Sequence, residues 1–189
     1  MKDRKKMMPI GPMMIEHRLI ERMIAVTRTE LDRFLREKKA NPEFIMTFVD
    51  FMRTYADRCH HGKEEDILFR ELRKKQLSKE HRDTMDQLVK DHQWARGQTK
   101  DLIEATEKYA AGDESMFLII PARLNALTEF YPRHIEKEDR HFFLPVMSYF
   151  SQDEKDAMLQ EGFEFDQSLI HDKYKQIVEQ SERSAGSKV

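Results

Sequence analysis

The sequence predicts an all-α protein, an antiparallel four-helix bundle with an additional C-terminal helix. Apolar residues recur at the three- and four-residue spacing of an amphipathic helix over almost the whole chain. Charged residues make up 36% of the 189 residues, which is typical of long helices with solvated outer faces. Only 6 Gly and 6 Pro interrupt the pattern, so a sheet protein with many turns is disfavoured.

The first two helices are predicted over residues 13–38 and 42–72. The sequence KKANPE breaks the apolar pattern between them. Asn41 is suited to cap the second helix, and Pro42 is suited to its first position because no amide donor is needed there. One side of this second helix is apolar and consists of Ile45, Phe48, Val49, Met52 and Ala56.

The third and fifth helices are predicted over residues 79–110 and 152–180. Ser78 is suited to cap the third, and Gly112 is a natural stop after it. The chain then divides into an N-terminal arm at 1–12, the bundle at 13–150, an extra helix at 151–182 that packs on the bundle, and a disordered tail at 183–189.

The fourth helix contains two prolines. It is predicted to begin at Asp113 or Ser115 and to end at about Phe143. A proline inside a helix removes an amide donor and clashes with the carbonyl four residues earlier. We therefore expect a kink or a break at Pro121 and at Pro132.

Composition argues against several classes of partner. The 33 basic and 35 acidic side chains give a net charge of −2 without a basic patch, so nucleic acid is not expected as a partner. No apolar run is long enough for a membrane span or a secretion signal, so we expect no membrane association and a cytoplasmic location. Cys59 is the only cysteine, so any metal site must use histidine and carboxylate.

One short motif occurs twice. HHGKEEDILF, which begins at His60, and HIEKEDRHFF, which begins at His134, both contain His-x-x-x-Glu. The motif pairs each histidine with a glutamate four residues later, Glu64 or Glu138. Residues at this spacing share one face of a helix and lie about 6 Å apart along its axis. Each pair can therefore bind one metal ion, or two ions with the glutamate as the bridge.

The two pairs lie on the apolar sides of their helices. The first and third helices each contribute one histidine among apolar neighbours, His17 and His92. His61 and Glu65 lie nearer the edge of the apolar side, because steps of three and four residues from His61 meet Asp57. We interpret these two as outer partners of the site or as surface residues.

A metal centre explains why these groups would be buried together. An isolated buried carboxylate costs several kcal/mol, and a cation offsets that cost. Imidazoles and carboxylates without a thiolate suit iron or manganese, and zinc also fits. The predicted ligands are His17, His60, Glu64, His92, His134 and Glu138, and the further candidates for an extra ligand or an outer partner are Glu21, His61, Glu65 and His141.

The segments RCHHGKEEDILF, KDHQWARGQ and HIEKEDRHFFLPVM follow His17 along the chain. In this order they resemble the hemerythrin-like family, the HHE cation-binding domains, over about residues 13–150. The resemblance implies a four-helix bundle around a non-haem di-iron centre. It also implies four terminal histidines, and two glutamates that bridge two iron ions together with an oxo or hydroxo group, namely His17, His60, His92, His134, Glu64 and Glu138.

One position departs from the family pattern. Oxygen-carrying members have a fifth histidine four residues from the ligand of the third helix, but this chain has Leu88 and Arg96 there. The difference argues against reversible oxygen transport. It leaves a position that is open, filled by water, or taken by Glu21, His61 or His141.

We therefore expect a di-iron protein that binds or senses O₂ or NO. The alternative is a di-iron redox enzyme of oxidative or nitrosative stress defence, which reduces peroxide or NO or handles iron. A third hypothesis is an interaction protein whose histidines are incidental or hold a structural ion. A ferritin-like site is disfavoured because it uses two Glu-x-x-His motifs, and only Glu138-x-x-His141 matches here. The sequence does not name a protein partner.

Overall fold

The computed structural model describes residues 7–168, and within this range the protein is helical without β-strands. This confirms the predicted all-α class. Helix α1 spans Ile10–Glu37, so it begins three residues before the predicted start at Met13. Helix α3 spans Lys79–Ala110, as predicted, and the Ser78 side chain caps it by accepting a hydrogen bond from the amide of His81.

Helix α2 runs from Pro42 to Leu72 and changes its winding on the way. It is α-helical over Pro42–Phe51, where Asn41 accepts a hydrogen bond from the Phe44 amide. It is then π-helical over Met52–His61 and again over Glu64–Phe69. A π-helix has i→i+5 hydrogen bonds and therefore more residues per turn than an α-helix. Side chains beyond Phe51 consequently point in directions that a regular α-helical phase does not give.

Helix α4 is likewise irregular at both ends. A 3₁₀ turn at Glu114–Leu118 leads into the α-helix Ile119–Glu136, which is followed by π-helical Lys137–Phe142 and by the short α-helix Phe143–Val146. Pro121 lies in the first turn of the α-helical part, where a missing amide donor costs little.

The predicted alternative of a break at Pro132 is wrong, since the helix continues to Glu136. Proline at this position removes the hydrogen bond to the carbonyl of Thr128, four residues earlier. The guanidinium of Arg28 in α1 donates to that carbonyl at 2.8 Å instead. The partner helix therefore satisfies the acceptor that the proline leaves open.

The four long helices form a closed ring of neighbours, in which α1 and α3 each pack against α2 and α4. Their apolar side chains form two separate clusters. The first contains Ile20, Ala56, Ala95 and Ile135, and the second contains Met13, Ile67, Leu88 and Phe142. Each helix contributes to both clusters, and the polar residues His17, His60, Glu64, His92, His134 and Glu138 lie where the helices pass from one cluster to the other.

Residues 152–168 form helix α5, which packs on the second apolar cluster. Met158 and Leu159 are buried there. Gly62 permits a close approach to α2, because a Cβ atom at this position would lie 2.7 Å from the ring of Phe165. The rest of the predicted fifth helix, the predicted tail and the first six residues lie outside the described residues. No helix within 7–168 has both the length and the apolar character to cross a membrane.

Candidate metal centre

Seven buried polar side chains meet in the layer between the two apolar clusters. None of them is more than 2% exposed. They form two groups, and within each group one donor atom of every residue lies within 4.8 Å of the others. The first group is His17, His60, Glu64 and Glu138, and the second group is His61, His92 and His134. All six residues that the sequence predicts as ligands are therefore brought together, and His61 joins them.

The inward atoms of these side chains lack hydrogen-bond partners within the described residues. They are the Nε2 atoms of the five histidines and both carboxylate oxygens of Glu64 and Glu138. A buried polar atom without a partner costs on the order of 1–3 kcal/mol, and more when it is charged. The presence of so many unpartnered nitrogen and oxygen atoms in one place is explained if cations bind among them. The residues therefore fit a metal centre.

Each glutamate has one oxygen at each group of histidines. Glu64 places Oε1 3.3 Å from Nε2 of His60 and Oε2 3.3 Å from Nε2 of His92. Glu138 places Oε2 3.2 Å from Nε2 of His17 and Oε1 3.2 Å from Nε2 of His134. This is the arrangement that two bridging carboxylates require, because each could give one oxygen to each of two ions.

A second layer of carboxylates lies behind the imidazoles. The distances from Nδ1 to the nearest carboxylate oxygen are 2.8 Å for His17 and Asp139, 3.0 Å for His60 and Glu16, 3.3 Å for His61 and Asp57, 2.7 Å for His92 and Glu65, and 3.5 Å for His134 and Asp91. A carboxylate at Nδ1 favours the tautomer with its hydrogen on that nitrogen. The Nε2 lone pair then points inward, as a metal ligand must.

The sequence pattern places His61 near the edge of the apolar side, and this prediction is wrong. His61 is 1% exposed, and its ring stacks on that of His92 with centroids 3.9 Å apart. Both residues of the His60–His61 pair face inward because α2 is π-helical over Met52–His61. A fifth histidine is thus present at the site, supplied by α2 and not by α3.

The other candidates fall into two kinds. Glu65 is an outer partner, since it accepts a hydrogen bond from His92. Glu21 is outside both groups and pairs with Arg18 at 3.1 Å, and His141 is exposed. Neither of these two belongs to either histidine group among the described residues.

Sequence reasoning missed three of the outer carboxylates. Asp57 lies four residues before His61, so its role could have been inferred once His61 was placed inside. Glu16 and Asp139 are sequence neighbours of ligand candidates, but each contacts a histidine on a different helix. That pairing depends on how the helices pack, so it produces no pattern of fixed residue spacing in the sequence.

The charges at the centre shift the pKa values of its groups in opposite directions. Burial disfavours protonated His60, but the Glu64 carboxylate and the hydrogen bond to Glu16 outweigh burial and raise its pKa to about 10. Burial likewise opposes protonation of His92, and the nearby carboxylates of Glu138 and Glu65 raise its pKa to about 9. Without metal, protons on these imidazoles balance the buried carboxylates. A bound cation would take over that role.

His61 behaves differently from its neighbours. Burial, together with the positive charge of neighbouring His92, lowers its pKa well below the usual value. Its imidazole is therefore neutral at neutral pH. Its unprotonated Nε2 is available as a ligand without the loss of a proton.

A buried lysine supports the end of the centre that contains His17 and His60. Lys63 is 3% exposed and pairs with Glu16, the carboxylate behind His60. Its ammonium also lies 2.6 Å from Asp166 of α5. Burial disfavours the charged form of Lys63, but Glu16 outweighs this effect and raises its pKa, so the side chain stays charged. Helix α5 is thereby joined to the centre through two ion pairs.

Cys59 lies next to this ion-pair network. Its thiol donates to Asp166 at 3.3 Å, and burial raises its pKa to about 12. The thiol is therefore protonated and unreactive as a nucleophile. Glu16, Cys59 and Asp166 lie close enough to hold an ion, but the ammonium of Lys63 already pairs with both carboxylates.

An arginine and a cavity lie at the other end of the centre. Arg96 donates to Asp57 at 2.7 Å and to Glu65 at 2.8 Å, the carboxylates behind His61 and His92. It stands four residues after His92, at one of the two positions where the sequence resemblance would allow an additional histidine. A cavity of about 320 Å³ opens beside it and reaches the His61 and His92 rings.

The family model of the hemerythrin HHE cation binding domain matches residues 8–144 of the chain. The match covers most of the chain and includes every residue of the two histidine groups. Comparison with curated proteins and with solved structures gives no match. The resemblance seen in the sequence motifs is thus confirmed, and the chain belongs to the family of hemerythrin HHE cation-binding domains.

Proposed function

We propose that this protein is a non-haem di-iron protein that binds or senses O₂ or NO. The proposal includes an antiparallel four-helix bundle over residues 13–150 as the scaffold of the centre. The observation that carries it is the set of unpartnered inward atoms. Five imidazole nitrogens form two groups, and two glutamates reach both of them. Two cations coordinated by these nitrogen and oxygen atoms would satisfy every one of them.

The donor set favours iron. Five imidazoles and two carboxylates combine borderline nitrogen ligands with hard oxygen ligands, and no thiolate takes part. Manganese and zinc accept similar ligands, so the assignment of iron is itself part of the proposal. Membership in a cation-binding family supports a metal at this place.

The two ends of the centre differ in the number of protein donors. One end has two imidazoles, from His17 and His60, and the other has three. We place the diatomic ligand at the two-histidine end, where the protein leaves more of the coordination sphere free. The ring of Phe143 stacks on His17 with centroids 5.6 Å apart and is fully buried, so it excludes water on that side.

The chain holds and orients the groups that such a ligand would meet. Two ferrous ions would supply the electrons that activate or reduce a bound diatomic. Asp139 and Glu16 fix the rings of His17 and His60 through Nδ1. Arg18 pairs with Asp139 and Lys63 pairs with Glu16, so both carboxylates are held in place from outside.

Metal analysis of anaerobically purified protein is the direct test. We expect about two iron ions per chain, and a ligand-to-metal charge-transfer absorption when air or NO is admitted. His60→Ala should lower the iron content, whereas His141→Ala, at an exposed histidine, should not. Absence of bound iron, or the same iron content in wild type and His60→Ala, would contradict the proposal.

A redox enzyme of stress defence is the second candidate. The cavity of about 320 Å³ at the three-histidine end favours it, because it gives a substrate and a reductant a path to the His61 and His92 rings. Repeated consumption of peroxide or NO in the presence of a reductant would support turnover. A single stoichiometric binding event would support the binding or sensing role.

A further inference from the structure

We propose that the cavity beside His61 and His92 binds a small organic anion, specifically a carboxylate with a compact apolar body. The cavity lies between α2 and α3 and has a volume of about 320 Å³. Small-molecule sites in proteins begin at about 300 Å³, so the space suits a compact ligand of this kind.

The inner walls of the cavity are mainly apolar. Met52 comes from α2, and Ala95 and Ile103 come from α3. Tyr131 of α4 forms part of the wall, and its ring lies parallel to that of His61 with centroids 6.4 Å apart. An apolar or aromatic body would therefore be buried against apolar side chains, which is the usual source of affinity in such a site.

The rim of the cavity carries an excess of positive charge. Arg53, Arg96 and Lys100 line it, against one carboxylate, that of Asp57. Arg96 is already engaged by Asp57 and by Glu65.

Two cations of the rim remain largely uncompensated. The ammonium of Lys100 has one distant ion pair, with Glu104 at 3.9 Å. Arg53 forms no ion pair with the residues between 7 and 168. Both side chains are exposed at the mouth. A carboxylate placed there would gain charge-assisted hydrogen bonds while its apolar body points inward.

Such a ligand would act on the centre without replacing the diatomic ligand. The cavity adjoins the three-histidine end, whereas the proposed diatomic site is at the end with His17 and His60. A carboxylate that reaches Arg96 would compete with Asp57 and Glu65 for its guanidinium. Because these two carboxylates hold His61 and His92, occupancy of the cavity would be coupled to the geometry of the centre.

Fluorine NMR of 4-fluorobenzoate with the full-length, zinc-treated chain tests this site. Zinc is diamagnetic and supports no turnover, so the signal reports binding alone. We expect saturable line broadening with a Kd of about 1 mM or less. The matched neutral probe, 4-fluorobenzamide, should bind at least about tenfold more weakly because it lacks the charge.

A pair of double variants locates the binding. Arg53→Gln/Lys100→Gln should weaken 4-fluorobenzoate binding by about tenfold or more, because both cations of the rim are lost. Arg22→Gln/Arg36→Gln removes the same charge from exposed positions of α1, away from the cavity, and should leave binding unchanged. All four side chains are exposed, so the fold should be retained, and circular dichroism checks this.

Three results would overturn the proposal. They are equal affinity for the two probes, wild-type affinity in the Arg53/Lys100 variant, and equal weakening in the control variant. The second would place the anion on the metal or elsewhere on the surface. Iron content and charge-transfer absorption remain the separate test of the di-iron function.

Discussion

The two ends of the candidate metal centre use the same pairing of imidazole and carboxylate but differ in what lies behind it. At the end with His17 and His60, the buried ammonium of Lys63 supports Glu16, while the exposed Arg18 supports Asp139. At the end with His61, His92 and His134, the support reaches solvent. The Lys63 and Phe143 side of the first end is therefore closed, whereas a cavity reaches the imidazoles of the second end.

The two-histidine end is covered by a further helix. Lys63, with a side chain 4% exposed, is held between Glu16 and Asp166 of α5. Phe143 stacks against His17. Removing these contacts should affect a part of the molecule where water cannot easily replace them.

The three-histidine end relies on Arg96, whose side chain is 39% exposed. Its partners Asp57 and Glu65 are also partly exposed, and the cavity lies beside them. Water can screen or replace these interactions. The imidazole–carboxylate pairs are therefore of the same kind at both ends, but at this end the ion pairs that hold the carboxylates are weaker.

The largest effect should come from removing a group that both ends share. Glu138→Gln takes away one ionised carboxylate that reaches His17 on one side and His134 on the other. We expect metal affinity to fall by more than about 100-fold, beyond what loss of an outer partner causes. Metal content after dialysis measures this. Glu136→Gln, at an exposed neighbouring position, is the control, and equal loss in both variants would contradict the assignment.

The next largest effect should be confined to one end. His61→Ala removes an imidazole of the three-histidine group and should lower the occupancy of that ion more than that of the other. His141→Ala removes an exposed histidine and should leave both unchanged. Stepwise metal titration with cobalt, followed by absorption, separates the two ions. If His141→Ala has the larger effect, the structural assignment of the fifth histidine is wrong.

Much of this arrangement could be predicted from the sequence. The four long helices follow from apolar spacing and capping residues, and α3 has the predicted limits. The pairs His60–Glu64 and His134–Glu138 follow from the i, i+4 geometry of a helix.

The remaining features depend on contacts between helices. The position of His61 requires the π-helical winding of α2, which regular periodicity does not reveal. The continuity of α4 at Pro132 depends on Arg28, 100 residues away from the carbonyl that it satisfies. The supports Lys63 and Arg96 depend on partners from other helices in the same way.

A pair of stability measurements compares the two supports directly. Lys63→Met leaves Glu16 buried without its cation and should lower the free energy of unfolding by about 3 kcal/mol or more. Arg96→Met exposes Asp57 and Glu65 further to water and should cost about 1 kcal/mol or less. Urea unfolding of the metal-free variants gives both values. Equal losses would remove the distinction between a closed and an accessible end.

The last expected effect is a dependence of metal affinity on pH. A raised pKa means that the imidazole of the metal-free protein holds its proton more tightly. The pKa is about 10 for His60 and about 9 for His92, so a metal ion must displace a proton from each of them. Acidification therefore favours the metal-free form. Between pH 6 and 8 we expect a loss of about tenfold per pH unit for each proton released.

The comparison between the ends sharpens this expectation. His61 is neutral before metal binds and releases no proton. The pKa of His17 is instead raised, because the carboxylates of Asp139 and Glu138 outweigh the opposing effect of burial. The ion at the two-histidine end should therefore be lost first as pH falls. Zinc affinities from chelator competition at pH 6, 7 and 8 measure the slope, and His60→Gln should reduce it by one proton. A slope of zero in the wild-type protein would show that protons do not occupy these imidazoles, and that the unpartnered atoms are balanced in another way.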